Sequence, residues 1–328
     1  MSDPSQVSAP GTAAPTAAAV LQGVLEVLSP DAAPHPLHAP EIDGNAWAYV
    51  KDCLDTGWVS SAGRWVDKFE SLMAEATGAR HATVNGTAAL HAALYAAGIK
   101  PGDEVLVPAF TFVATANAVS YCGATPHFVD CERAAFGIDP AALETYLDDI
   151  LIRRDDQWIN RNTDAPVRAI VPVHCYGHPA NMNALLNVAK DYGLVVLEDS
   201  AESLGTRIDH QHTGLFGRAG VFSFNGNKTI TTGGGGAIIT DDDLFARRLR
   251  HLTTTARARD GRKLDHDAVG FNYRMPNLNA ALGCAQLETL GDKLARKTIS
   301  PGATSQVWAG STMCMSLNLP PGEPATIG

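Results

Sequence analysis

With 328 residues, 45% of them apolar, the chain can bury a large core, as one large α/β domain or two. A formal net charge of −10 argues against nucleic acid or an anionic membrane surface as the main partner. No apolar run reaches the roughly eighteen residues of a membrane span, and the N-terminus has no basic segment leading into an apolar one, so a cytoplasmic location is expected.

Residues 1–35 are rich in Ser, Pro, Ala and Thr with almost no charge, and a mobile tail is expected there. From Ala39 to Thr56 the pattern predicts a helix with Ile42, Trp47, Val50 and Leu54 on one side and Gly57 ending it. A second helix is predicted from Trp65 to Ala76. Short β-branched runs then alternate with helical patterns. HATVN precedes GTAALHAALYAAGI, EVLVPAF precedes TFVATANAVSYCG, and PHFVD precedes DPAALETYLDDI. RAIVPVH precedes NMNALLNVAKDYG, which leads into LVVLEDS. Such alternation predicts a mostly parallel sheet with helices on both faces, and ligands beyond the carboxyl ends of its strands.

The residues after each strand therefore hold the candidate chemistry. Gly86-Thr87-Ala88 opens a helix where free N–H groups could meet an anion, although Gly-Thr is also common capping. Phe112 could lie on a flat heteroaromatic ligand or belong to the core. His174, Cys175 and His178 lack further ligands of suitable spacing, so no metal is expected, and the six scattered cysteines, without a CxxC, read as reduced thiols. Asp199 ends an apolar run, where a carboxylate needs a charged partner such as a protonated pyridine nitrogen. It could equally cap a helix beginning at Ala201. Glu202 follows and could face the same cleft.

The stretch VFSFNGNKTITTGGGGAIIT, residues 221–240, predicts two adjacent strands joined by a tight glycine-rich loop. Lys228 lies after the first of them, with Ser223 five residues earlier. A lysine presented to a cleft can form an imine with a carbonyl, which is how pyridoxal phosphate is held. The alternative is a surface lysine beside a flexible loop. A nucleotide-binding protein using TTGGGG as a phosphate loop is a further alternative, weakened because no Gly-Lys-Ser/Thr follows the glycines.

Taken together, NGTAALHAAL, GDEVLVPAFTFVATANAV, VLEDSAESLG, FSFNGNKTITTGGGGAI and VGFNYRMPNLNAALGCAQL resemble the DegT/DnrJ/EryC1/StrS family of sugar aminotransferases. The resemblance covers roughly residues 36–297. It implies the pyridoxal-phosphate-dependent transferase fold of type I, a mostly parallel seven-stranded sheet flanked by helices. NGNKTITTGGGG and TGWVSSAG look closest to the branch that aminates nucleotide-linked 4-keto-6-deoxy sugars, including the enzymes of legionaminic acid synthesis.

By that resemblance Lys228 is the catalytic lysine and Asp199 the partner of the pyridine nitrogen. Phe112 stacks on the cofactor, and Thr87, Ala88 and Ser223 contact its phosphate. Asn272 reaches the phosphate site of a neighbouring subunit, which implies a homodimer. Glu202 stands where many relatives carry glutamine or histidine. Relatives with histidine in place of the lysine act as dehydratases, a chemistry that Lys228 argues against. The expected reaction moves an amino group from glutamate to the 4-keto carbon of a nucleotide-linked 6-deoxy sugar, UDP-linked by expectation. From Thr298 the chain departs from the family pattern, and residues 298–328 read as an aberrant tail in place of the small C-terminal domain. A truncated, inactive pyridoxal-phosphate-binding remnant is therefore the main alternative.

Overall fold

Strands whose residues are apolar on both faces must be covered on both sides, and the computed structural model places them in the middle of one sheet. The structure describes residues 38–85, 88–258 and 265–297, together with Ala18, Leu21, Gln22 and Leu25. The main path of the sheet runs β1 (His81–Asn85), β11 (Gly236–Thr240), β10 (Ala219–Ser223), β7 (Val195–Asp199), β6 (Ala165–Ile170), β2 (Glu104–Pro108), β3 (Thr125–Val129). Every pairing from β10 to β3 is parallel, while β11 is antiparallel to both β1 and β10. β1 therefore points the same way as β10, and the carboxyl ends of β1, β10, β7, β6 and β2 share one edge.

The expected seven strands are this path, and a hairpin of β4 (Leu151–Arg154) and β5 (Gln157–Asn160) beside β6 extends the sheet to nine. The helix–strand alternation hides that hairpin. Its signal is Asp155-Asp156 between two short runs, with φ of 48° and 60° as a primed two-residue turn requires. A further small hairpin joins β8 (Arg207–Ile208) to β9 (Gln211–His212).

Side chains alternate along each strand and sort the helices by face. Val105, Val107, Ala169, Leu197, Val221 and Ile238 point to α3 (Ala89–Ala97), α4 (Val113–Tyr121) and α7 (Asp243–Thr253). Leu106, Ile170 and Val196 point the other way, to α5 (Pro140–Ile150) and α6 (Met182–Asp191). On that second face Phe222, Ala237 and Ile239 meet α2 (Arg64–Thr77) and α8 (Asn277–Glu288). Asp139 and Asn181 cap α5 and α6 through their side chains.

α1 (Ala46–Thr56) starts later than its pattern predicts and ends as expected at Gly57, which is left-handed with φ 72°. Its predicted inner face is not the buried one. Ile42, Trp47 and Leu54 are exposed, whereas Ala46 and Cys53 are buried, with Tyr49 packed beside them. Polar contacts decide the orientation: the Tyr49 hydroxyl donates to Glu288 at 2.6 Å and the Cys53 thiol to the Asn277 carbonyl. After α8 the helix breaks at Thr289 and resumes over 290–297. Among the described residues no helix is long and apolar enough to cross a membrane. The predicted tail of residues 298–328 lies outside the described residues, as does most of the predicted N-terminal tail.

Candidate active site

β2 and β6 are neighbours, but their crossovers leave in opposite directions: β2 leads through α4 outward to β3, and β6 through α6 inward to β7. Such a divergence opens a crevice at the carboxyl edge. The loop after β2 carries Phe110 to Phe112, the loop after β6 carries His174 to Gly177, and β7, on the other side of β6, ends in Asp199.

Asp199 accepts a hydrogen bond from the Thr115 hydroxyl at 2.7 Å and another from the Ala201 amide at 3.2 Å. Thr115 is itself 2.8 Å from the Thr111 hydroxyl, which ties the first turn of α4 to the carboxylate. Protein surrounds Asp199 on most sides, although one edge stays reachable. Burial pushes its carboxyl above the usual range, and the Thr115 and Ala201 hydrogen bonds offset part of this, as does the charge of Lys228. Residues 201–205 form turns, so Asp199 caps no helix. Glu202 likewise reaches the cleft from a turn.

Lys228 sits on the loop beyond β10 rather than at the strand end itself, its amide bonded to the Asn225 carbonyl at 3.0 Å. Its Nζ donates to Glu202 Oε1 at 2.9 Å. The other oxygen of Glu202 accepts from the Tyr176 amide at 2.8 Å. The lysine is neither loose nor freely solvated, its side chain being 18% exposed.

The glycine-rich loop is held to α8. Asn279 donates to the Thr232 carbonyl at 2.6 Å, and the Thr231 amide donates to Gln286. A Cβ on Gly283 would sit 2.7 Å from Phe69 and 2.8 Å from Thr232, so this glycine is what lets the loop approach the helix. The Gly233 amide is already given to the Thr231 hydroxyl at 2.9 Å. The loop is thus a packed connection between β10 and β11.

Register aligns the predicted phosphate residues. Asn85 and Ser223 flank Gly236 on either side, so Ser223 and the carboxyl end of β1 lie at one level of the sheet. Ala88 immediately precedes α3, whose first N–H groups open on the same edge. Thr87 lies outside the described residues. Phe112 precedes α4 and is 78% exposed, which rules out a core role. Asn272 is exposed too, on a segment bridged to Thr254, with Phe271 and Tyr273 on either side turned to His91.

Several polar residues under the crevice escape sequence reasoning, because only tertiary structure reveals their partners. Glu198 is fully buried and accepts from His174 Nε2 and from the amides of Gly214, Phe216 and Gly217 at 2.6–3.0 Å. His174 Nδ1 accepts from the Ala180 amide, so both ring nitrogens serve the fold. Burial pushes the neighbouring Cys175 thiol up to about 12. Lys297, at the end of the described chain, donates to the hydroxyl of Thr229 at 2.8 Å, one residue from Lys228. Burial pulls it below the usual lysine range while Glu202 opposes the shift.

With this geometry in place, residues 40–306 match the DegT/DnrJ/EryC1/StrS aminotransferase family. The chain belongs to that family. A GDP-perosamine synthase of Caulobacter vibrioides is 44% identical over 261 residues, 79% of this chain and 66% of the relative. EpsN of Bacillus subtilis, a protein named as a pyridoxal phosphate-dependent aminotransferase, is 38% identical over 80% of this chain and 65% of its own length. A DegT/DnrJ/EryC1/StrS aminotransferase structure from Brucella abortus superposes with a TM-score of 0.77 at 28% identity, covering 86% of this chain and 73% of that one. The chain spans about two thirds of the length of these curated relatives. Family membership makes pyridoxal phosphate the cofactor, and the crevice suits it. Among the described residues no cation forms an ion pair with the buried Asp199, as a site awaiting a protonated ring nitrogen requires.

Proposed function

We propose that this chain moves an amino group onto a keto carbon of a nucleotide-linked sugar, with pyridoxal phosphate held at Lys228. The observation that carries the proposal is the pairing of a half-buried lysine amine, held by Glu202, with a buried carboxylate that has only neutral hydrogen-bond donors. When bound, the cofactor supplies an electron sink for deprotonation at the carbon that bears the amine. Asp199 keeps the ring nitrogen protonated, and Phe112 covers one ring face. Ala88 and Ser223, with the α3 N-terminus, receive the phosphate, joined by Thr87 in the family pattern. Lys228 Nζ would hold the carbonyl and would serve as the proton carrier, while Glu202 orients Nζ. Asn272 is exposed as a residue offered to a second subunit would be, in keeping with a homodimer. Glutamate is the proposed donor.

GDP-perosamine synthase relatives favour a GDP-linked 4-keto-6-deoxy substrate over the UDP-linked one that the sequence pattern suggested. The deciding experiment is the visible absorption spectrum of purified protein with pyridoxal phosphate, before and after glutamate. A yellow band that bleaches with glutamate supports the proposal, and a soluble protein without that band overturns it. Lys228→Ala should retain cofactor by non-covalent contacts yet show no turnover, and normal turnover by that variant would remove Lys228 from the chemistry. Parallel assays with GDP- and UDP-linked 4-keto sugars then choose the nucleotide.

A further inference from the structure

The loops on either side of the crevice carry aromatic rings that the cofactor reading leaves without a task. Tyr176 adopts φ 54°, ψ 23°, a left-handed conformation that costs a non-glycine residue about 1 kcal/mol or more. Burial of the ring does not offset this, since Tyr176 is 66% exposed. The conformation is fixed from the backbone: the Tyr176 amide donates to Glu202, and the His178 amide donates to the Cys175 carbonyl at 2.9 Å. Across from it, Phe110 is 46% exposed, with its ring centroid 6.3 Å from that of Tyr176 and 5.4 Å from that of Phe136. Phe110 is held through its peptide, its amide donating to the Cys131 sulfur, while the Cys175 thiol lies between the carbonyls of Phe110 and Phe136 at 3.7 and 3.6 Å. Two exposed rings are thus mounted on a rigid frame.

That frame is joined to Lys228 through a single carboxylate. Glu202 takes Lys228 Nζ on one oxygen and the Tyr176 amide on the other. A reacting carbon must come within about 3–3.5 Å of the group that acts on it. The Tyr176 backbone stands one carboxylate away from Lys228 Nζ, so the part of a substrate that meets this loop while its reacting carbon lies at Lys228 is the part nearest that carbon. In a nucleotide-linked sugar this is the sugar ring and its methyl group, because the base lies beyond the ring and two phosphates. The C–H face and methyl of a 6-deoxy sugar are apolar, and exposed aromatic faces suit them.

We propose that Phe110 and Tyr176 form the wall against which the sugar ring of the substrate packs. The inference deepens the aminotransferase reading and rests on it. The probes are GDP-fucose, a GDP-linked 6-deoxy sugar with no keto group to react, and GDP, each titrated by calorimetry into protein loaded with pyridoxal phosphate. Tyr176→Ala is expected to weaken GDP-fucose roughly tenfold and to leave GDP within about twofold, the scale of one lost aromatic contact. Tyr176→Phe restores the affinity, and Phe110→Ala shifts it in the same direction as Tyr176→Ala. The Lys228 absorption band stays unchanged in all three variants, which shows that the fold and cofactor site persist. Equal losses for GDP and GDP-fucose would mean that the rings hold the base, and undiminished GDP-fucose binding would mean that they hold nothing; either overturns the proposal. Wild-type protein that takes up pyridoxal phosphate and binds neither probe overturns the nucleotide-sugar reading, and this inference with it. A band absent from wild type while the probes still discriminate overturns the aminotransferase reading and leaves the two rings as a sugar-binding wall, so the two failures are distinguishable.

Discussion

Replacing Asp199 by asparagine changes the charge at the floor of the crevice and almost nothing else. The amide oxygen continues to accept from Ala201, and the amide nitrogen faces Thr115. Thr115 then turns its own hydrogen toward the Thr111 hydroxyl 2.8 Å away, so no hydrogen bond is lost. What disappears is a buried negative charge whose hydrogen-bond partners are all neutral.

Burial raises the Asp199 carboxyl above its unfolded value of 3.8. Between that value and the raised one, the native state binds a proton that the unfolded chain has released. Stability therefore falls as pH rises through this window, and the full penalty persists above it. A penalty on the order of 1–3 kcal/mol, typical of a poorly compensated buried polar group, corresponds to roughly 2–10 °C in melting temperature. Cofactor-free Asp199→Asn should thus melt that much higher than wild type at pH 8, and the gap should close below about pH 4. On the proposed role of Asp199, the variant loaded with pyridoxal phosphate should be slower in the glutamate half-reaction, because an amide would not keep the ring nitrogen protonated. Calorimetric scans of both proteins across pH test this. An equal or lower melting temperature for the variant at pH 8, or a gap independent of pH, would refute the account of Asp199.

Glu198→Gln puts one NH2 group against two N–H donors, whichever oxygen it replaces, and should cost on the order of 3–5 kcal/mol. A urea midpoint equal to wild type would show that the Gly214–Gly217 turn does not depend on Glu198. His212 is buried with Nδ1–H donating to the Thr213 carbonyl and Nε2 accepting from the Gly205 amide, and burial pulls it from 6.5 down to about 4. The native ring stays neutral while the unfolded one takes a proton, so stability should decline as pH falls from 6.5 to about 4, by about 3 kcal/mol. His212→Gln should flatten that slope in urea titrations at several pH values, and parallel slopes would exclude His212 as its source.

The strands that build the crevice were legible because EVLVP and VVLED are apolar on both faces, a demand that only a covered parallel sheet meets. The position of Asp199, Phe112 and Lys228 at the carboxyl edge was legible for a related reason: each ends or follows a strand, and those strands end on one edge. The face of α1 was not legible, because α1 carries two apolar stripes and contacts with α8 choose between them. Thr115, His174 and Glu198 were hidden as well. Their roles depend on partners up to 84 residues away, and a buried polar residue looks the same in sequence whether or not its partners exist. The Glu202–Lys228 pair shows both sides. Each residue could be assigned to the cleft, but the bond between them and the link onward to Tyr176 required the fold.

Glu198 and Asp199 are adjacent on β7, so strand alternation sends their carboxylates to opposite sides of the sheet. Glu198 meets four donors and is satisfied within the protein. Asp199 meets a hydroxyl and one amide, and Lys228, whose charge could serve it, is held instead by Glu202. One carboxylate thus anchors the strand end while its neighbour is kept short of a counter-charge. A ligand that brings a positive ring nitrogen to Asp199 and a carbonyl to Lys228 relieves that imbalance in the native state alone. Binding must then stabilise the fold in proportion to the logarithm of ligand concentration over its dissociation constant. On the proposed cofactor role, the imbalance that costs stability at neutral pH would be the source of the crevice's affinity.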